Sequence, residues 1–247
     1  MMPASITGDP ATGLLIVVDH ASNRVPEDID LGIDPALLDA HMAIDIGAAE
    51  LAAALSARLS APALLATVSR LVIDLNREED APGLIPEHSD GHAVPGNIGL
   101  SAEARAARIA RFWRPYHAAL AGRIARDAPL LLVSLHSFTP RLSSAPGEAR
   151  PWQVGVLYNG DDRAARLAIP LLEAAGVVTG DNFPYSGKIL NATMNHHAEG
   201  RGLAYLGLEV RQDLISDAAG VERWADILAP IVAETRNSLA QKAALGK

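Results

Sequence analysis

The chain of 247 residues contains no cysteine. It therefore has no disulfide bonds, no thiolate ligands for zinc and no cysteine nucleophile, and any metal site must be built from histidine, carboxylates and water. No apolar run approaches the ~20 residues that a membrane-spanning helix needs. The first residues carry no charged segment followed by an apolar stretch, so we expect no signal peptide and a cytoplasmic location.

Positive charge is also scarce. Lysine and arginine together number 21 against 29 aspartates and glutamates, which gives a formal net charge of −8. Since no basic cluster interrupts this balance, we expect neither nucleic acid nor an anionic membrane surface as a partner. The composition is ordinary for a globular protein, and the length suits a single domain over 1–247. The alanine-rich helices are compatible with packing against a second copy of the chain, so a homo-oligomer remains an alternative.

Apolar strands alternate with amphipathic helices along the chain, which predicts a three-layer α/β/α sandwich. The predicted strands cover 14–18, 63–75 (as one strand or two), 130–135, 153–158 and 203–211. The predicted helices cover 36–59, 102–126, 161–175 and 219–244. Residues 78–99 have no periodicity and predict a long loop that could cover an active site, and 180–202 are predicted to be rich in loops.

Two histidines follow buried strands. The apolar run at 14–18 leads into Asp19 and His20, and the run at 130–135 leads into His136. Ligands of open α/β sheets bind beyond the carboxyl ends of the strands, so we expect both imidazoles at that rim. Two imidazoles in matched positions, in a chain without cysteine, predict a metal site, and a structural hydrogen-bonding role is the alternative for each.

A catalytic zinc ion usually takes three protein ligands, so a third is needed. Asp45 lies among apolar residues, and a buried carboxylate without a partner would be costly. Asp45 is therefore one candidate, although an exposed position is equally consistent with the sequence. Asn23 and Glu27, which are close to His20, are the alternatives. His41, one helical turn before Asp45, is either a supporting partner or a surface residue.

Arginine and amide side chains cluster within 69–77, where Arg70, Asn76 and Arg77 lie around an apolar run. A guanidinium group can bind a carboxylate through two parallel hydrogen bonds, and the asparagine amide adds a neutral donor. This pattern predicts recognition of a small acidic substrate. The alternative is structural: an ion pair between Asp74 and one of the arginines that closes the strand.

A carboxylate also lies within the apolar strand at 203–211. Glu209, beside a metal, can take a proton from water and pass it to a leaving amine, as in zinc hydrolases. Arg211, two residues later, is a candidate substrate contact. The alternative is an ion pair between Glu209 and Arg211, which requires a regular strand that places both on one face.

Five segments together resemble the N-formylglutamate amidohydrolase family: 19–26, 44–48, 69–77, 135–140 and 209–214. The matches run from about Gly13 to Trp224. The resemblance implies a phosphorylase/hydrolase-like α/β/α fold with a mixed, mostly parallel sheet, related to zinc carboxypeptidases and aspartoacylase. It also implies one zinc ion per chain and hydrolysis of N-formyl-L-glutamate to formate and glutamate in histidine breakdown.

The resemblance assigns roles to residues that the strand ends had already suggested. His20 and His136 match the zinc-binding histidines of that fold. Asn76 and Arg77 resemble the pair that holds the substrate carboxylate in carboxypeptidases and aspartoacylase. In the expected mechanism Arg77 is a catalytic residue that, with Arg70, either stabilises the oxyanion or fixes the α-carboxylate. Glu209 resembles their general base. The related enzymes remain an alternative, as a zinc deacylase or carboxypeptidase that acts on another acyl or peptide substrate.

One position departs from the related enzymes. They carry a metal-binding glutamate three residues after the first histidine, where this chain has Asn23. The segment around Asp45 matches the N-formylglutamate amidohydrolase family, so the resemblance implies Asp45 as the third ligand, with Asn23 and Glu27 as alternatives. A non-catalytic binding protein that has lost its metal also remains an alternative. Three further segments fit the family pattern, namely 180–187, 195–198 and 200–203. They make three residues candidate substrate contacts, each of which can instead be loop structure: Tyr185, His197 and Arg201.

Overall fold

The computed structural model describes residues 2–245 and is built around a central seven-stranded sheet. The strands are β1 (Ala4–Ile6), β2 (Leu14–Val18), β3 (Ala63–Leu65), β4 (His88–Ser89), β5 (His92–Ala93), β6 (Leu131–Phe138), β7 (Val154–Leu157), β8 (Thr179–Asp181) and β9 (Ala204–Arg211). Strands β4 and β5 form a separate antiparallel hairpin. This hairpin lies within the segment that the sequence predicts as a long loop.

The central sheet has the order β1-β3-β2-β6-β9-β7-β8. Strands β3, β2, β6 and β9 are parallel to one another, so their carboxyl ends meet at one edge. Strand β1 is antiparallel to β3, and the β7–β8 pair is antiparallel to β9. The mixed, mostly parallel sheet that the sequence predicts is confirmed, and its carboxyl edge is where the site should form.

Helices cover both faces of the sheet. They are α1 (Ala48–Leu59), α2 (Ala102–Arg108), α3 (Arg114–Asp127), α4 (Ala165–Ala174), α5 (Ala192–His197) and α6 (Ala218–Leu245). Alternate residues of β2 enter different cores: Ile16 and Val18 pack with α1, α4 and α6, whereas Leu15 and Val17 pack on the α3 side. The three-layer sandwich is confirmed. Among the described residues, no helix has the length and apolar character needed to cross a membrane.

The predicted helix over 36–59 is wrong in its first half. Only Ala48–Leu59 is α-helical; Pro35–Asp39 is a short 3-10 turn, and the residues between are irregular. The apolar residues of this segment have helical spacing, but they do not form one helix face, because they pack in two different cores. Met42 packs in the core on the α3 side, whereas Leu51 packs in the core on the α1 side. The chain crosses the carboxyl edge of the sheet between them, and Asp45 lies at the crossing.

The predicted strand at 63–75 is confirmed only for Ala63–Leu65. The apolar residues Leu71–Ile73 are fully buried, but they pack beneath the sheet edge in turns and pair with no strand. The Ser69 backbone N–H donates to the Arg24 carbonyl, and the Ser69 hydroxyl donates to the Ala43 carbonyl at 2.8 Å. These bonds draw the segment away from the sheet, so burial of a short apolar run did not indicate a strand here.

The remaining elements follow the prediction closely. The helix predicted at 102–126 begins after Ser101, whose hydroxyl accepts the Ala104 N–H, and it contains one π turn at Ile109–Trp113. The strands predicted at 130–135, 153–158 and 203–211 and the helices predicted at 161–175 and 219–244 are all present, with ends shifted by a few residues. The region 180–202 is mostly loop and also contains the short helix α5.

We expect the turn before α1 to tolerate no side chain. Gly47 has φ 77°, and an added Cβ would lie 2.1 Å from the Ile215 carbonyl oxygen. Gly176 has a similar φ of 78°, and a Cβ added there would have no neighbouring atom within 4 Å, so Gly176 provides a matched control. Both alanine variants introduce left-handed strain of ~1–2 kcal/mol. Gly47→Ala should lower the free energy of unfolding in urea by at least ~1 kcal/mol more than Gly176→Ala. Equal losses would contradict the proposed clash.

Candidate metal centre and substrate cavity

The ends of three parallel strands bring the predicted residues together. His20 follows β2, and His136 and Glu209 are direct neighbours in the register of β6 and β9. Paired residues in adjacent strands project from the same face, so His136 and Glu209 share one side of the sheet. The imidazole rings of His20 and His136 have centroids 5.1 Å apart. The expectation that both histidines meet at the sheet rim is confirmed by this geometry.

Asp45 lies between the two imidazoles. Its Oδ2 atom is 3.3 Å from Nδ1 of His20 and 2.9 Å from Nδ1 of His136. The Ser137 backbone N–H also points to this oxygen at 3.3 Å, and the Asp45 N–H donates to the His20 carbonyl. The side chain is buried, so the exposed alternative does not apply. The crossing segment thus holds Asp45 at the strand ends through both its backbone and its side chain.

A second carboxylate lies behind each histidine. Nε2 of His20 is 2.8 Å from Oδ1 of Asp74, and Nε2 of His136 is 3.5 Å from Oδ2 of Asp19. The Tyr116 hydroxyl donates to the other oxygen of Asp19 at 2.5 Å. Metal-binding histidines usually have a carboxylate or carbonyl on the nitrogen that faces away from the metal. The two histidines therefore have the surroundings of metal ligands.

Residues His20, Asp45 and His136 each offer one ligand atom, and these atoms lie within 4.8 Å of one another. The nitrogen and carboxylate donors match the preferences of zinc, which accepts both. Three buried carboxylates (Asp19, Asp45 and Asp74) surround the imidazole pair. A cation bound between the imidazoles would compensate the negative charge of these carboxylates, so the residues present fit a metal ion.

The local charges shift the pKa values of these groups in a consistent way. Burial acts to lower the pKa of His136, but Asp19 and Asp45 raise it well above its ordinary value. For His20, burial and Arg70 act to lower the pKa. Asp74 and Asp45 act to raise it, and their effect is larger, so the pKa of His20 lies above its ordinary value. Burial acts to raise the pKa of Asp45, yet the two histidines and Arg70 hold it below the ordinary value. The site therefore favours positive charge beside an ionised Asp45.

The two arginines of the 69–77 segment differ in their contacts. Arg70 donates to Asp45 Oδ1 at 3.2 Å and to Asp74 Oδ2 at 2.9 Å, so both arms of its guanidinium group are bonded. Arg77 approaches Asp74 only at 3.8 Å, and 36% of its side chain is exposed. The structural pair of Asp74 with an arginine is therefore present for Arg70. Arg77 keeps a guanidinium group available for a ligand.

The turn that carries Arg77 is held by hydrogen bonds to side chains and backbone of other elements. The Leu75 carbonyl lies 3.1 Å from His117 Nε2, and the Trp113 indole N–H donates to the Arg77 carbonyl at 3.0 Å. The Thr193 N–H, in α5, donates to Asn76 Oδ1 at 3.0 Å. Because its carbonyl oxygen is occupied in this way, Asn76 presents its NH₂ group as the free donor.

A cavity of about 190 Å³ adjoins the metal centre. Eight of the residues that the sequence predicts for the site line it: His20, Asp45, Arg70, Asn76, Arg77, His136, Tyr185 and Glu209. Burial is the main cause that raises the pKa of Glu209, to about 7, with Asp45 acting in the same direction. A carboxylate with such a pKa can both accept and release a proton near neutral pH.

Three predicted substrate contacts lie outside this cavity. His197 is buried in α5, with Nε2 2.8 Å from Nδ1 of His117, and it helps to fix the turn described above. Arg201 is exposed on a short 3-10 turn. Arg211 donates to Asp213 at 2.8 Å, and among the described residues this is the carboxylate with which it pairs, so the alternative ion pair with Glu209 is not formed.

The alternative third ligands are also placed elsewhere. The Asn23 amide donates to Asp39 at 2.9 Å on the surface, and Glu27 is exposed. Asp19 and Tyr116 are site residues that were not predicted, although the position of Asp19, between a buried strand and a histidine, is a usable signal. Tyr116 gave no such signal, because it lies on a helix from another part of the chain.

Comparison with known proteins identifies the family. The sequence model of N-formylglutamate amidohydrolase matches residues 12–216. The chain belongs to the N-formylglutamate amidohydrolase family. Membership places it among the enzymes that hydrolyse amide bonds. A search of curated proteins found no match.

Two solved structures share the fold of this chain. A gene product of Agrobacterium tumefaciens is 28% identical, with a TM-score of 0.90, and the match covers 97% of this chain and 96% of that one. An N-formylglutamate amidohydrolase from Ralstonia eutropha is 20% identical, with a TM-score of 0.76, over 98% of this chain and 100% of that one. At that identity the second comparison shows the fold alone.

The buried pair His117–His197 should make the fold sensitive to acid. The His117 Nε2–H donates to Leu75, so its Nδ1 accepts from His197, and both rings are neutral. Burial is the main cause that lowers the pKa of His117 to about 4 and of His197 to about 3. Between pH 6.5 and 4 the unfolded chain therefore binds protons that the folded chain does not, and the free energy of unfolding falls as the pH falls.

The variant His197→Gln tests this expectation, because the glutamine amide nitrogen can take the place of Nε2 as the donor to His117 while one titrating group is removed. Between pH 6.5 and 4.5, its free energy of unfolding should fall by about 2 kcal/mol less than that of the wild type. The exposed His88 on β4 provides the control, and His88→Gln should retain the wild-type slope. The same slope in His197→Gln and the wild type would contradict a neutral buried pair.

Proposed function

We propose that this protein is a zinc-dependent amidohydrolase that converts N-formyl-L-glutamate to formate and glutamate. The observation that carries the proposal is the convergence of His20 Nδ1, His136 Nδ1 and an Asp45 oxygen beside a cavity that Glu209 and Arg77 also line. The family supports amide hydrolysis, and its description supports the substrate. A cytoplasmic role in histidine breakdown belongs to the same proposal.

His20, Asp45 and His136 would hold one zinc ion, with Asp19 and Asp74 orienting the imidazoles from behind. When bound there, zinc supplies Lewis-acid chemistry, which lowers the pKa of water and polarises a carbonyl group. Arg70 neutralises Asp45 and Asp74 together, which fixes the Asp45 carboxylate in position. The protein would thus contribute three ligands, next to the cavity in which the reactants would bind.

Glu209 is the residue that moves the proton. Its carboxylate accepts a proton from water as the amide carbonyl is attacked, and it then donates that proton to the departing amine nitrogen. The pKa near 7 suits both steps, because the group is neither a strong acid nor a strong base at neutral pH. Its position beside His136 in the sheet keeps it next to the metal ligands.

Arg77 and Asn76 hold the α-carboxylate of the substrate. The Arg77 guanidinium group is largely free, and the Asn76 NH₂ group is the donor beside it. A bidentate arginine contact fixes the substrate and so places the scissile amide next to the metal ligands and Glu209. The rigid turn beneath these residues, held by His117, Trp113 and Thr193, preserves that placement.

Protein purified without chelator should contain about one zinc ion per chain. Asp45→Ala should lower the zinc content several-fold, because it removes the carboxylate that lies between the imidazoles. Asn23→Ala serves as the control, since this residue is the alternative ligand by sequence and lies on the surface. Elemental analysis and circular dichroism of the three proteins measure zinc and folding separately. Loss of zinc from Asn23→Ala, with zinc retained in Asp45→Ala, would refute the assignment.

Glu209→Gln should reduce kcat for N-formyl-L-glutamate at least ~100-fold, because the amide keeps the shape of the side chain and cannot accept the proton. The zinc content should stay at the wild-type value, since Glu209 is not one of the three ligands. Formate release and metal content are measured on the same preparations. Turnover that is unchanged in this variant would remove Glu209 from the mechanism.

A further inference from the structure

A buried aspartate occupies the tip of the β4–β5 hairpin. Asp90 and Gly91 form the two-residue turn, with φ 42° and 83°, as expected for an Asp-Gly hairpin turn. A charged side chain at such a tip normally points to solvent, but only 5% of the Asp90 side chain is exposed. The hairpin is therefore docked against the body of the protein through its tip.

Asp90 joins three segments that are far apart in sequence. Its Oδ1 atom accepts the Ser144 N–H at 2.9 Å and the Ser144 hydroxyl at 2.6 Å, and its Oδ2 atom accepts the Ser143 N–H at 2.8 Å. The same Oδ2 atom lies 3.0 Å from Nε2 of His41. Burial acts to raise the pKa of Asp90, but these hydrogen bonds and His41 hold it below the ordinary value. Asp90 is thus an ionised partner for His41.

His41 lines the same cavity as the metal centre. About a quarter of its side chain is exposed, while its buried Nε2 atom lies 3.0 Å from Asp90 without the geometry of a hydrogen bond. The ring therefore stands between the Asp90 carboxylate on one side and the cavity on the other.

The second carboxylate of the proposed substrate still needs a binding partner in the cavity. Glutamate carries two carboxylates, and the proposed function assigns the α-carboxylate to Arg77. Arg70 is already bonded to Asp45 and Asp74. Among the described residues that line the cavity, His41 is the histidine that lies outside the metal centre. Its imidazole carries an N–H group that can donate a hydrogen bond to a second carboxylate.

We propose that His41, which lies against Asp90, binds the side-chain carboxylate of the substrate and so determines the preference for an acidic amino acid. This inference rests on the proposed function, because it assumes an N-acyl amino acid whose α-carboxylate is held by Arg77. It also gives the docked hairpin a role: Ser143 and Ser144 hold Asp90 by hydrogen bonds, Asp90 packs against His41, and His41 contacts the ligand.

The test compares two substrates that differ at one end. N-Formyl-L-norvaline has a methyl group where N-formyl-L-glutamate has its side-chain carboxylate. For His41→Ala, KM for N-formyl-L-glutamate should rise at least tenfold, with kcat within threefold of the wild type. For N-formyl-L-norvaline, KM should change less than twofold. Asp90→Asn should shift the same ratio in the same direction by a smaller factor.

The exposed His88 of the same hairpin provides the matched control, and His88→Ala should leave both substrates unaffected. A purely structural role for His41 would impair the two substrates equally, and that result would overturn the proposal. Unchanged kinetics for both substrates in His41→Ala would overturn it as well. The ratio between substrates is therefore the deciding quantity, and neither rate decides alone.

A binding measurement separates this proposal from the proposed function. Glutarate and pentanoate reproduce the two carbon skeletons without the amide, and calorimetry gives their Kd values for the zinc-loaded protein. The wild type should bind glutarate at least tenfold more tightly than pentanoate, and His41→Ala should abolish this difference. If the wild type hydrolyses neither substrate, the proposed function fails, while the glutarate result still decides the role of His41. Equal glutarate affinity in the wild type and His41→Ala would overturn that role.

Discussion

The Asp45 carboxylate, placed between two imidazoles, is the contact on which the rest of the site depends. One of its oxygens faces Nδ1 of both His20 and His136, and the other accepts from Arg70. A buried carboxylate in this position needs positive charge around it. The guanidinium group of Arg70 and the two histidines, whose pKa values are raised, supply that charge.

The fold provides this contact by placing an irregular segment across the carboxyl edge of a parallel sheet. The segment leaves the core on the α3 side at Met42 and enters the core on the α1 side at Leu51. Gly47, with its positive φ and close approach to Ile215, lets the chain turn into α1 directly after Asp45. A continuous helix here would have carried Asp45 past the strand ends. The site therefore depends on the irregular segment that replaces the first half of the predicted helix.

The sequence predicted the inner part of the site because strand ends are visible in it. His20, His136 and Glu209 each lie in or directly after an apolar run, and the parallel sheet brings such positions together. The sequence did not predict the partners that come from other parts of the chain, such as Tyr116, which meets Asp19 across 97 positions. His197 shows the converse. It belongs to a recognisable segment, but its contacts make it a support for the substrate turn.

The supports of the site differ in how firmly they are held, and this difference bears on function. The turn with Arg77 is fixed by bonds from α3, α5 and the π turn, all within the packed core. His41 lies instead against the tip of a two-stranded hairpin, which is bonded to the loop at 143–144. A short hairpin has little stability of its own. The contact that would select the side chain can therefore change, by substitution in the hairpin, without disturbing the residues that would bind the metal and the α-carboxylate.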